Sequence, residues 1–184
     1  LRGRSYMRQN RLNNLSIAQS VEQILDNIAK NCALCGRDAS DVQLMAVTKT
    51  VEAQRVNEAI HAGVRLLGEN RAQELLAKMM IMQKDGVDIH FIGHLQTNKV
   101  RQIVDKVTMI QSLDSVALAQ EIGVNAEKHD QKNELLVEVN IGSELSKSGV
   151  APDRLSDFLG ELSGFGRICV RGLMAIPPVS GTER

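Results

Sequence analysis

Lys49 is the residue of this sequence best placed to do chemistry. It stands in AVTKT, directly after the short apolar run VQLMAV (42–47). If that run is a strand of a parallel barrel, the lysine sits at the strand's C-terminal end, where this fold carries its reactive groups. A lysine there is expected to be partly withdrawn from water, which exposes a nucleophilic amine able to condense with an aldehyde. The plainer alternative is a solvated lysine at a strand end. Lys147, in the Ser/Gly-rich stretch IGSELSKSG, reads as a solvated loop lysine, with a second amine at the same barrel face as the other reading. His90 and His94 are four apart, but Gly93 and a strand-like pattern break the helical spacing that would pair them on a metal. Cys32 and Cys35 form a lone CxxC near a helix end, which suits helix packing better than zinc or redox work. Cys169 reads as core.

Composition narrows the function classes. The 184 residues carry 22 basic and 22 acidic side chains, so no overall charge draws the chain to nucleic acid or acidic membranes. With three phenylalanines, one tyrosine and no tryptophan, there is little material for base-stacking platforms. No apolar run approaches the roughly 20 residues that span a bilayer. An odd, low cysteine count without a secretory signal suggests a reducing, cytoplasmic setting. Residues 1–13 read as a disordered tail or cloning remnant, with Met7 as a natural start, and residues 14–184 as one domain.

The elements that must hold Lys49 alternate. Val21, Ile24, Leu25 and Ile28 predict an amphipathic helix over about 14–34, with Gly36 as terminator. VQLMAV (42–47) reads as a strand buried on both faces. Further strands are expected at 64–68, 89–93, 107–113, 134–141 and 168–174, each preceded by a helical pattern. Asn70 can cap one helix, with Gln73 completing a capping box. Asp114 or Ser115 can cap another, and Pro152 suits a first helical turn. Six strands separated by helices imply parallel βαβ units, in a doubly wound sheet or a barrel. TKTVEA after the first strand lacks the glycines of a dinucleotide fold, which favours the barrel. The expected class is therefore an α/β, (β/α)8 TIM barrel with only about six βα units present. A complete barrel would need about two more, on the order of 60 residues.

Six segments occur in order: AVTKT, LGENRAQE (67–74), HFIGHLQTNK (90–99), SLDS (112–115), VEVNIGSELSKSG (137–149) and RGLMAIPP (171–178). From about residue 15 to 178 the chain resembles the pyridoxal phosphate homeostasis protein family, whose fold is similar to the N-terminal barrel of alanine racemase. The resemblance implies pyridoxal 5′-phosphate (PLP) as cofactor, held as a Schiff base on Lys49. It implies that Asn70 and Met174 line the cofactor, with Val47, His90, Asn140 and Lys147 as neighbouring strand-end candidates. Two departures stand out: Leu67 replaces an aromatic before GEN, and Ile89 replaces a tryptophan before HFIG. The family's phosphate-gripping loops lie after the sixth strand, so no phosphate residues are assigned.

The resemblance implies a carrier or buffer of PLP rather than an enzyme. The alternative is a PLP-dependent amino-acid racemase, which needs a base on each face of the substrate carbanion. In alanine racemase the second base is a tyrosine, whereas Tyr6 is the only tyrosine here and falls in the expected tail. Expected partners are PLP and apo forms of PLP-dependent enzymes, with no nucleic acid and no membrane. A monomer is favoured.

Overall fold

Ser16 opens the first helix, α1 (Ile17–Leu34), with a reciprocal cap. Its Oγ accepts from the Gln19 N–H at 3.2 Å, and Gln19 Oε1 accepts from the Ser16 N–H at 2.9 Å. Two orphan donors of the first turn are thereby satisfied. At the other end the Arg37 N–H returns to the Cys32 carbonyl at 2.9 Å, across Gly36 at φ +68°. The structure, a computed structural model, describes residues 15–142 and 148–177. After α1 come β1 (Met45–Val47), α2 (Ala53–His61), β2 (Leu66–Glu69), α3 (Ala72–Met79), β3 (Asp88–Phe91) and α4 (Val100–Ile103). They are followed by β4 (Met109–Leu113), α5 (Val116–Lys128), β5 (Asn133–Glu138), α6 (Leu155–Leu162) and β6 (Ile168–Met174). Six strands lie in one sheet in chain order, β1-β2-β3-β4-β5-β6. No helix among the described residues is long and apolar enough to cross a membrane.

The chain divides into two compact units, Leu1–Leu67 with Lys78–Asp88, and Gly68–Ala77 with Ile89–Arg184. In the first, α2 buries Ala53, Val56, Ala59 and Ile60, one side of an amphipathic helix. On α1 only Val21 and Cys32 are buried, while Ile24 and Leu25 are exposed. Ile24 lines a groove of about 450 Å³ with Leu15, Leu44, Met45 and Val64. The expectation that β1 is buried on both faces is corrected: Met45 and Ala46 are half-buried, and Val47 is 49% exposed. Among the described residues β1 is an outermost strand of the sheet.

In the second unit the strands β3 to β6 pair in parallel. Register puts His90, Met109 and Glu134 on one face and Phe91, Ile110 and Leu135 on the other. The second set is buried. β5 alternates throughout, with Asn133, Leu135 and Val137 buried and Glu134, Leu136 and Glu138 half-buried. Each fully buried aliphatic or phenyl side chain here is worth roughly 1.5–3 kcal/mol. Asn133 enters the dry face because its Nδ2 donates to the Val104 carbonyl at 2.9 Å, at the end of α4. Leu67 and Ile89 are both buried, so aliphatic groups fill the positions where aromatics were expected.

Three local expectations change. α3 begins at Ala72, with the Arg71 carbonyl accepting from the Leu75 N–H at 3.0 Å, so Asn70 does not cap it and no Asn70–Gln73 box forms. Ser115 is the cap of α5, its Oγ accepting from the Leu118 N–H. Cys32 is buried as expected, whereas Cys35 is exposed at the helix end and Cys169 is only half-buried.

Gly93 marks a close approach of backbones. A Cβ there would stand 2.2 Å from the Asn70 carbonyl oxygen and 2.8 Å from the Asn70 Cα. Gly93→Ala is expected to cost roughly 3 kcal/mol, at the upper end of overpacking. Gly160→Ala, in α6 with nothing within 4 Å, should gain up to about 1 kcal/mol of helix stability. Urea unfolding midpoints of the two variants check the contrast.

Candidate functional site

Lys49 is the second residue after β1 and is exposed. The expectation of a partly dehydrated amine is therefore corrected. Its main chain is held more firmly than its side chain. The Thr48 carbonyl accepts from the Val51 N–H at 3.1 Å, closing a four-residue turn with Lys49 and Thr50 at the corners. Thr50 has φ +60°, an unusual backbone for a β-branched residue. Such strain costs on the order of 1–3 kcal/mol and concentrates at functional positions. The Thr50 hydroxyl donates to the Lys49 carbonyl at 2.6 Å. A second lysine enters from α3: Lys78 is buried, and its Nζ donates to the Thr48 carbonyl at 2.5 Å.

Lys78 and Thr50 are not among the residues that the sequence singles out. The structure buries Ala72, Leu75 and Lys78, a three-residue spacing visible in the sequence once lysine is allowed a buried end. Val47, proposed beside the cofactor, is the last residue of β1, half exposed.

The remaining candidates belong to the second unit. Asn70 follows β2 directly. Its Oδ1 is buried without a hydrogen-bond partner, and the residue lines a cleft of about 260 Å³ with Arg71, Gln73, His94, Gln96 and Lys99. His90, inside β3, is half-buried, and its Nδ1 lies 2.8 Å from Gln111 Nε2. His94 stands apart with other partners, its Nδ1 being 3.3 Å from Asp114 Oδ2 and 3.2 Å from Ser148 Oγ. Among the described residues no group of three or more His, Cys, Asp or Glu side chains could hold a metal ion.

Asn140 and Met174 come together at the ends of β5 and β6. The Met174 carbonyl accepts from the Val139 N–H at 2.8 Å, and Met174 is the register partner of Glu138. The chain then loops back: the Asn140 N–H donates to the Val150 carbonyl at 2.9 Å, and the Val150 N–H to the Glu138 carbonyl at 2.8 Å. This return needs glycine at 149, where φ is +114° and a Cβ would lie 2.8 Å from the Asn140 nitrogen. Lys147 lies outside the described residues.

Glu138 is a polar residue that sequence reading did not single out. Burial pushes its carboxyl above the usual range, and nearby Asp114 adds to the rise while His94 opposes it. A carboxyl whose pKa is raised by folding is destabilising when ionised. Its contribution is neutral below the unfolded-state pKa and unfavourable once pH passes the folded-state value. Glu138→Gln is therefore expected to raise Tm at neutral pH. The gain should vanish as pH falls into the range where Glu138 is protonated in both states, which a Tm series against pH will check.

The chain matches known proteins over most of its length. Residues 24–184 match the family model described as alanine racemase, N-terminal domain. The pyridoxal phosphate homeostasis protein of Aquifex aeolicus is 37% identical over 164 residues, spanning 89% of this chain and 72% of that protein. The solved structure of PipY from Synechococcus elongatus PCC7942, with PLP bound, superposes with TM-score 0.70 at 34% identity, covering 84% of this chain and 73% of PipY. Alanine racemase from Clostridium difficile 630 shares the fold, at TM-score 0.64 and 16% identity over 88% of this chain and 40% of the racemase. The parallel sheet with its helices is thus of the TIM-barrel type found in alanine racemase. Ordered segments, fold and relatives agree, and the chain belongs to the pyridoxal phosphate homeostasis protein family within the alanine racemase N-terminal domain class.

Proposed function

We propose that the chain binds PLP as a Schiff base on Lys49 and serves PLP homeostasis as a carrier or buffer of the cofactor. The observation that carries this reading is the exposed Lys49 amine on a pinned, strained turn at the end of β1. That arrangement fits the aldehyde end of PLP: the amine is open to a ligand arriving from solution, while its backbone is already ordered. The nitrogen adds to the aldehyde carbon, a C=N bond replaces C=O, and water leaves. Bound this way, the aldehyde of PLP would be masked as a C=N bond that water can reverse; the protein's part would be to hold the cofactor and release it.

Asn70 and Met174 are proposed to line the cofactor, with Val47, His90, Asn140 and Lys147 as further candidates. The buried, unpartnered Oδ1 of Asn70 supports its inclusion, because a polar atom dry and unbonded is costly unless a ligand satisfies it. Support for PLP comes from the cofactor in PipY and from the relatives' names. We further propose a monomer in a reducing, cytoplasmic setting, consistent with three free thiols, that passes PLP to apo-enzymes.

Purified protein given PLP is expected to turn yellow, and borohydride should fix the chromophore on the Lys49 peptide, read by mass spectrometry. Lys49→Ala should lose the band. Labelling of a different lysine would overturn the assignment. Racemisation of alanine far faster than by free PLP would replace the carrier reading with the racemase one.

A further inference from the structure

We infer that Lys78 is a positioning residue for Lys49, its buried ammonium clamping the peptide that carries the reactive amine. The inference rests on the Schiff-base role proposed for Lys49. Lys78 is only 8% exposed and Thr48 only 4%. Burying an ammonium costs several kcal/mol unless hydrogen bonds compensate. A lysine on a helix can usually let its charged end reach water. Here Nζ instead meets the Thr48 carbonyl, at 2.5 Å.

The choice of carbonyl gives the contact its meaning. Thr48 O belongs to the peptide group that joins Thr48 to Lys49. It accepts from the Val51 N–H and from the Lys78 ammonium. Fixing that oxygen fixes the plane of the peptide entering Lys49, because the peptide group is rigid. The peptide leaving Lys49 is held as well, by the Thr50 hydroxyl on the Lys49 carbonyl. With both planes held, the direction in which the Lys49 side chain leaves the backbone is set before any ligand arrives. What lysine adds is a charged donor, the stronger kind of hydrogen bond. A reacting group displaced by about 1 Å can lose on the order of 100-fold in rate.

The test uses the full chain and PLP itself, following growth of the yellow band and the mass of the borohydride-reduced Lys49 peptide. Wild type, Lys49→Ala, Lys78→Met and Lys78→Arg are compared. Folded Lys78→Met should take up PLP at Lys49 about tenfold more slowly or more weakly. Lys78→Arg, which returns a cationic donor, should recover most of that loss, a rescue that space-filling alone would not produce. Uptake by Lys78→Met equal to wild type overturns the inference, as does an Arg variant no better than the Met variant. If Lys78→Met does not fold, folded Lys78→Gln, shorter and uncharged, takes its place: slower uptake supports the clamp and unchanged uptake overturns it. Failure of wild type itself to label at Lys49 would defeat the Schiff-base reading instead.

Discussion

Strand side chains alternate between two faces, and in this protein one face of the β3–β5 sheet must stay dry. Phe91, Ile110, Leu135 and Val137 occupy that face and are buried. Polar chemistry is thereby confined to the opposite face and to the strand ends. His90 and Glu134 lie on the first of these, and Asp114, Asn140 and Met174 at the second. A shift of one residue in register would put Glu134 and Glu138 in the dry layer, at a cost no pairing there could offset.

Two of the polar side chains in buried positions, Asn133 and Lys78, donate to main-chain carbonyls. Asn133 satisfies the Val104 carbonyl at the end of a helix, and Lys78 satisfies Thr48 beside Lys49. In both, a main-chain carbonyl that already accepts one hydrogen bond, from the Val51 N–H at Thr48 and from Gln131 Nε2 at Val104, receives a further side-chain donor. The difference lies in what stands next to the carbonyl. One contact ends a helix; the other orders a turn whose neighbouring residue has an exposed amine. Strain at Thr50 belongs to the same device, since a β-branched residue persists at positive φ only where its surroundings impose it.

The second unit shows how a strand end becomes a polar cluster. The chain returns after β5 to pair Val139 with Val150, and that return brings Ser148 to His94 and Asp114. Burial raises the pKa of the nearby Glu138 carboxyl, and Asp114 adds to the rise. Relatives of this family carry PLP in at least one solved case, PipY.

Much of this was legible in the amino-acid order. Apolar runs of strand length alternating with helical periodicity disclosed six βα units, and Ser115 and Gly36 disclosed helix ends, because these signals are local. The ordered segments around Lys49, Asn70 and Met174 disclosed the family. Three things were not legible. The exposure of Val47 and Lys49 depends on where β1 lies in the sheet, which no local pattern states. Asn70 resembled a cap by residue type, yet the helix starts two residues later, and the close pass of Gly93 sets its peptide. Lys78 carries no local mark of burial, because sequence reports the charge of a side chain but not the carbonyl that waits for it. Contacts between residues 30 apart in the chain, such as Lys78 with Thr48, are decided by packing of whole elements, and only the tertiary structure contains them.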